Sequence, residues 1–303
     1  MQAGVSYRQL RGPAYRSILT GVWATSDHEL PEHPKKRTHQ VMAALQMRHP
    51  TTVVSHTSSA LLLGLPLPGA VWQSPGLHIT RWDGLCPPRM TGVIGHKAEV
   101  AQADRWSIGG VLVTGPALTA VQLADQRSTA GGLALSDDAL VALLDGVVTQ
   151  HSKGFNRGNP PTRNFNDLVS DLERLSPRRG LSRLWEALKR VSVGADSALE
   201  THARLALAKA GFPLFVHDLE IRVPGMRPVH PDLGNVELRI SIQVEGPHHD
   251  SPGQRVRDIE RLRVTEAAGW IEIRVTAADI FTRPGELEPR LVSLVRAAVA
   301  SRR

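Results

Sequence analysis

The run Arg239–Asp250 (R-I-S-I-Q-V-E-G-P-H-H-D) constrains the fold of this 303-residue chain more than any other stretch. Leu238, Ile240, Ile242 and Val244 alternate with Arg239, Ser241, Gln243 and Glu245. A period of two predicts a β-strand with its apolar side chains in a core and its polar set, Gln243 and Glu245 together, looking out from the opposite face. Gly246 and the pair His248 and His249 follow at the strand's end. An amide, a carboxylate and two imidazoles gathered there are groups able to hold a cation and pass on a proton.

The flanking segments predict a compact α/β unit around this strand. Ser197–Ala210 reads as a helix with a cap signal at its start and Gly211 as its stop. Strands are expected near Phe215–Val223 and Pro231–Val236, then at Leu238–Glu245. A helix over Gln254–Ala268 ends at Gly269, a strand covers Trp270–Val275, and Glu286–Ala300 closes the chain as a helix. A reversal around Val236–Leu238 sets Asp232 opposite Gln243 in an antiparallel pair. Gly234 and Asn235 favour an earlier turn that would move it away; the later one is preferred.

Upstream, short strands mix with helices. Thr52–His56, Leu77–Thr80, Gly92–His96 and Gly110–Thr114 are strand candidates, while Ser58–Leu63, Pro116–Ala124 and Ser136–Thr149 have helical apolar spacing. His151–Asn166 is rich in Gly, Asn and Pro and marks a linker. Two connector helices, Asp167–Leu175 and Leu181–Val191, follow it. The expected organisation is a first segment over 1–50, a mixed α/β domain over 51–150, a linker and helical connector over 151–196, and the α/β unit over 197–303.

Lys and Arg number 36 against 29 for Asp and Glu, a formal charge of +7. Such a surplus favours polyanionic partners, since each neutralised phosphate releases counterions, although it also serves solubility alone. Cys86 is the one cysteine, which excludes an internal disulfide and a Cys-rich zinc site. A reducing, cytoplasmic setting is expected. The N-terminus has no apolar signal core and no apolar run approaches a membrane span. The residues leave the oligomeric state open.

Phosphodiester cleavage needs cations held by oxygen ligands and a relay for the attacking water. Glu200, Asp232, Gln243, Glu245, His248 and His249 are the candidates. Each also has a plainer role: Ser197-Ala198-Leu199-Glu200 is a capping box, Asp232 after Pro231 suits a turn, and the others suit a solvated face and loop. Their value lies in convergence at one end of the unit.

The runs S-A-L-E-T-H-A-R, H-P-D-L, I-S-I-Q-V-E-G-P-H-H and R-D-I-E-R-L-R-V-T-E-A-A-G-W-I-E-I-R-V-T resemble the very-short-patch-repair-like endonuclease domain of the PD-(D/E)XK superfamily over about Ser197–Ala298. The resemblance implies a restriction-endonuclease-like αβββαβ core with Mg²⁺ or Mn²⁺ at Glu200, Asp232 and the Gln243/Glu245 strand, where Asp232, Glu245 and the Gln243 carbonyl would be the ligands. It implies Glu200 on a metal-bound water and His248 or His249 as proton relay. The family strand reads E-x-D-G, whereas this chain has Gln243-Val244-Glu245-Gly246, and an amide in place of the first acid weakens a cation site. On the helix that follows, Arg257 and Arg261 share a face suited to phosphates, or pair with Asp258 and Glu260 as a solvated charged face.

The first half has its own likeness. Leu10-Arg11-Gly12 through Ile18–Trp23, then S-H-T-S-S-A-L-L-L-G-L-P-L-P and T-G-P-A-L-T-A-V-Q-L-A, resemble abortive-infection-type antitoxins, which pair a winged helix with a DNA-facing α/β domain. The winged-helix-like start is partial, since few residues precede Trp23. His56, in V-S-H-T, is expected to cap the following helix or pack beneath it. Two functions compete: a metal-dependent DNA endonuclease, and a catalytically weakened DNA-binding regulator of the antitoxin type that keeps the nuclease-like fold as a scaffold. A toxin-neutralising interaction protein with a toxin or defence-system partner is a third.

Overall fold

The computed structural model describes residues 4–73, 76–125, 135–150, 160–246, 252–282 and 284–302. The chain is α/β. It divides into two compact units, Met1–Leu140 with Phe165–Glu186, and Val141–Asn164 with Ala187–Arg303.

The first unit opens with α1 (Tyr7–Leu10), a single turn closed by a capping box between Ser6 and Gln9. An antiparallel hairpin follows, β1 (Tyr15–Leu19) and β2 (Val22–Thr25). Next comes α2 (Pro34–Arg48), which starts on a proline whose missing N–H is no loss in the first turn. Then come β3 (Thr52–Val54), α3 (His56–Leu63), α4 (Gly69–Gln73), β4 (Leu77–Arg81) and β5 (Val93–Lys97). The unit continues with β6 (Arg105–Ile108), β7 (Val111–Thr114) and α5 (Pro116–Ala124). Its helices α6 (Asp137–Val148), α7 (Phe165–Arg174) and α8 (Leu181–Leu188) complete the list, α6 and α8 each running on into the second unit.

Five strands form one sheet in the order β5-β4-β3-β7-β6. The central strand β3 runs parallel to β7 and antiparallel to β4, and its three residues, Thr52, Val53 and Val54, are all buried. Met42 and Leu45 of α2 pack with Val54, Ile79, Val111, Val113 and Leu62 in a core cluster. Helix α3 stops at Gly64, whose φ of +78° is the left-handed conformation that glycine adopts without strain. A bidentate ion pair, Arg174 Nη2 to Asp104 Oδ1 at 2.8 Å and Nη1 to Oδ2 at 3.1 Å, ties α7 to the turn before β6.

In the second unit α9 (Ala198–Lys209) precedes β8 (Leu233–Asn235), β9 (Ile240–Glu245), α10 (Pro252–Ala267), β10 (Ile271–Thr276), α11 (Ala277–Ile280) and α12 (Arg290–Ala300). The sheet order is β10-β9-β8, with β8 and β9 antiparallel and β9 and β10 parallel across the α10 connection. Ile240, Ile242, Ile273 and Val275 pack on Ala203 and Leu207 of α9 and on Leu291 and Val295 of α12. Asp145 of α6 is buried within this unit, accepting from Ser192 N at 2.8 Å, Thr201 Oγ1 at 2.7 Å and Arg204 Nη2 at 2.9 Å. Burial pushes its carboxyl above the usual range, against the pull of Arg204 and the hydrogen bonds.

Two expectations are corrected here. No strand forms over 215–223: that segment makes only isolated antiparallel bridges, Val216 with Gly234 and Ile221 with Val229. Asp218 at φ +56° breaks the extended run, and the chain turns back at Pro224-Gly225. Gln243 does not look out to solvent either. It is 6 % exposed and Ser241 is fully buried, because β9 is the middle strand and its polar face is covered as its apolar face is.

Candidate functional site

The predicted constellation in the second unit is built on the β8–β9 reversal. Arg239 takes a φ of +49° in the turn over Val236–Arg239, and the register Leu233↔Ile242, Asn235↔Ile240 carries on to set Asp232 opposite Gln243. Asn235, which argued for an earlier turn, instead ends the strand and holds the reversal. Its Nδ2 donates to Leu214 O at 2.9 Å and its Oδ1 accepts from Leu238 N at 2.7 Å.

Asp232 Oδ2 accepts from Val244 N at 2.8 Å. The Gln243 amide, turned so that its nitrogen faces Asp232 Oδ2 and its oxygen faces Asp232 N, meets both at 3.2 Å. The physical sense of the amide follows. A Glu at 243 would set a second buried carboxylate beside Asp232, a repulsion relieved by a bound cation or a shared proton. A neutral donor satisfies Asp232 without either.

Glu200 lies 5 % exposed at the start of α9. Its Oε1 accepts from Ser197 Oγ at 3.0 Å and its Oε2 from Asp196 N at 3.0 Å, so it serves the helix cap. His217 stands between it and Asp232, with Nδ1 3.6 Å from Glu200 Oε2 and 3.1 Å from Asp232 O. His217 Nε2 is buried with no hydrogen-bond partner among the described residues.

Glu245 is half-exposed with Arg274 Nη1 3.5 Å away. The rest of that face is an ion-pair network. Arg261 Nη1 sits 2.9 Å from Asp258 and its Nε 3.3 Å from Glu272, and Arg274 Nε sits 2.9 Å from the other Glu272 oxygen. Of the two readings of Arg261, the ion-paired face is the one these contacts describe, with Asp258 as expected and the buried Glu272 in place of Glu260. Arg257 lies on α10 with its side chain outside the described residues, as do His248 and His249 altogether.

Among the described residues, Glu200, Asp232 and Glu245 do not come together as a group close enough to hold one cation. Asp232 is satisfied by Val244 N and Gln243, Glu200 by its cap and Glu245 by Arg274. Among the described residues, one group of three or more His, Cys, Asp or Glu side chains is close enough to hold a cation, and it lies elsewhere.

That group is His56, His78 and His96 in the first unit, with one ring nitrogen from each within 4.8 Å of the others. His56 is the first residue of α3, at φ +52°, a left-handed conformation uncommon for a residue with a Cβ. Gln122 of α5 holds it there, its Oε1 accepting from His56 N at 3.0 Å. His78 lies on β4, its N donating to Ser58 Oγ at 2.8 Å, while Ser58 Oγ donates to Gly76 O at 2.7 Å. His96 lies on β5, paired in parallel register with Thr80 of β4.

The three rings stack: His56 on His96 with centroids 3.8 Å apart, and His78 5.2 Å from His56 and 5.3 Å from His96. His78 Nδ1 and His96 Nε2 approach to 3.0 Å. Burial, with the neighbouring imidazoles, depresses His56 to about 2 and His78 to about 4, and burial lowers His96 as well. All three are neutral at pH 7. The sequence offered His56 alone; His78 and His96 reach it only through the parallel pairing of β4 and β5, which no local pattern announces.

The fold thus defines an α/β protein of two units, with a buried polar centre in each. The chain belongs to the AbiEi antitoxin C-terminal domain family, whose profile matches residues 21–189. Two curated relatives, uncharacterized proteins of Mycobacterium tuberculosis strains CDC 1551 / Oshkosh and ATCC 25618 / H37Rv, are each 27% identical over 201 residues, covering 66% of this chain and 67% of theirs. No solved structure matches it. The match spans the histidine cluster and stops before α9, so the antitoxin likeness read from the first half is family membership, while no comparison supports the nuclease likeness of the second half. No helix among the described residues is long and apolar enough to cross a membrane.

Proposed function

We propose that this chain is an antitoxin-type regulator that binds a toxin or defence-system protein and, through its cationic surplus, DNA, with the second α/β unit serving as a scaffold rather than a nuclease. Family membership over 21–189 carries the reading. The pairing of Asp232 with Gln243 and the sharing of Arg261 between Asp258 and Glu272 support it, because both satisfy internally groups that an endonuclease would turn toward metal and phosphate.

The test has two arms on the full chain. Co-expression with a toxin from the same genome is expected to restore growth in proportion to complex formation, and supercoiled plasmid incubated with Mg²⁺ or Mn²⁺ is expected to stay intact. A second reading, the metal-dependent endonuclease, draws on Asp232 standing at the register position opposite Gln243. Metal-dependent cutting that disappears in Asp232→Ala would establish it and overturn the scaffold.

A further inference from the structure

We propose that His56, His78 and His96 form a binding site for one borderline divalent transition metal, Zn²⁺ above all. Nothing in the antitoxin reading requires such a site, and the inference stands on the geometry of the first unit alone. Zn–N bonds of about 2.0–2.1 Å in a tetrahedron set ligand nitrogens roughly 3.3 Å apart. His78 Nδ1 and His96 Nε2 are already 3.0 Å apart, and the third nitrogen lies within 4.8 Å of both. Closing the set requires the His56 ring to slide off its stack on His96 so that its Nε2 comes in beside the other two nitrogens.

Three features prepare the cluster for a cation. His56 Nδ1 lies 3.0 Å from Ser55 Oγ. With that hydroxyl accepting, the ring is held in the tautomer that leaves Nε2 as the acceptor nitrogen, the outer-sphere support that metal-bound imidazoles use. His78 is anchored by the bond from its N to Ser58 Oγ at 2.8 Å, and a cation that takes its Nδ1 together with His96 Nε2 replaces the hydrogen bond between them, one ring changing tautomer. His56 and His78 are buried while His96 is half-buried, which gives an entry path from the His96 side.

The donor set selects the metal. Three imidazoles suit Zn²⁺, Co²⁺, Ni²⁺ or Cu²⁺, whereas Mg²⁺ and Ca²⁺ require oxygen. Three protein ligands also leave a fourth position for water, the pattern of an exchangeable site rather than a closed structural one. The left-handed backbone at His56 belongs to the same device: it is an uncommon conformation for a non-glycine residue, held by the Gln122 bond, and such outliers gather where a side chain is aimed at a ligand.

The experiment is a titration of the chelator-treated full chain with Co²⁺, followed in the visible spectrum and then displaced by Zn²⁺. One Co²⁺ per chain is expected, with a ligand-field band that Zn²⁺ abolishes and Mg²⁺ leaves unchanged. His96→Ala is expected to weaken Co²⁺ binding at least tenfold, and His33→Ala, at an exposed histidine, to leave it unaltered. His78→Gln, checked by circular dichroism for its fold, gives a second measure of the same loss should His96→Ala fail to fold. Absence of stoichiometric binding by the parent chain, or equal binding by the parent and a folded cluster variant, overturns the proposal.

Discussion

Three stacked imidazoles with depressed pKa values make acid the natural probe of the metal-free chain. Each is neutral in the fold and protonates near 6.5 once unfolded, so as pH falls below about 6.5 the unfolded state binds more protons and stability declines with it. The decline runs down toward the folded values, about 4 for His78 and about 2 for His56. Each proton taken up on unfolding contributes about 1.4 kcal/mol per pH unit. Urea midpoints of the chelated protein measured from pH 7 to pH 4 are expected to fall steadily, and His56→Asn is expected to flatten the curve.

Asp232 gives a second residue-scale test. Removing its carboxylate leaves the Val244 amide and the Gln243 side chain without an acceptor, a loss of roughly 1–3 kcal/mol. Asp232→Ala is therefore expected to lower the unfolding midpoint whether or not the protein cuts DNA, which is why the cleavage assay needs a stability measurement beside it. Gln243 itself was legible in sequence as a departure from an acidic pattern. Its place opposite Asp232 followed from the later of the two turns, but its burial did not, because strand alternation gives the face of a side chain and not what lies over it.

At the scale of elements, the best-read segments carried their own punctuation. Helix α5 falls between Gly115-Pro116 and Ala124 as its spacing predicts, α9 starts at the Ser197 cap, and the reversal after Asn235 follows the later of the two turns weighed. Helix α2 escaped notice although Pro34 marks its start, because the rest of its first turn argues against a helix. Its N-cap His33 supplies no side-chain bond and its first turn is basic, opposing the helix dipole. Strand β6 escaped too, although the Gly109-Gly110 turn that joins it to β7 is a hairpin signal in the sequence.

The α6–α9 brace offers the sharpest element-scale prediction. Arg204, 7 % exposed, is the cation that faces the buried Asp145 carboxylate. Arg204→Ala leaves that carboxylate without its charge partner, and breaking a buried pair from one side costs about 3–5 kcal/mol. Chemical denaturation is expected to show a loss of this size, with Asp145→Asn in the Arg204→Ala background recovering part of it.

Over the whole molecule, the surplus of +7 belongs to the DNA-binding half of the proposed function. Binding through cationic side chains falls with salt as counterions are released, and about six phosphate contacts imply a loss on the order of 10³-fold between roughly 50 and 200 mM. A filter-binding series is expected to show that steepness with little preference among duplex sequences, and the same slope for Asp232→Ala. A flat salt response would assign the chain to protein partners alone.

The α/β class and the antitoxin likeness were both present in the residues. The way the chain shuttles between its two units was not, since contacts such as Asp145 with Thr201 and Arg204 link positions far apart in sequence. The backbone passes from one unit to the other after Leu140, after Asn164 and after Glu186, so the two were woven together rather than strung end to end. A chain cut just past the family-matched region would keep Asp145 and lose Thr201 and Arg204, two of the groups that hold its buried carboxyl.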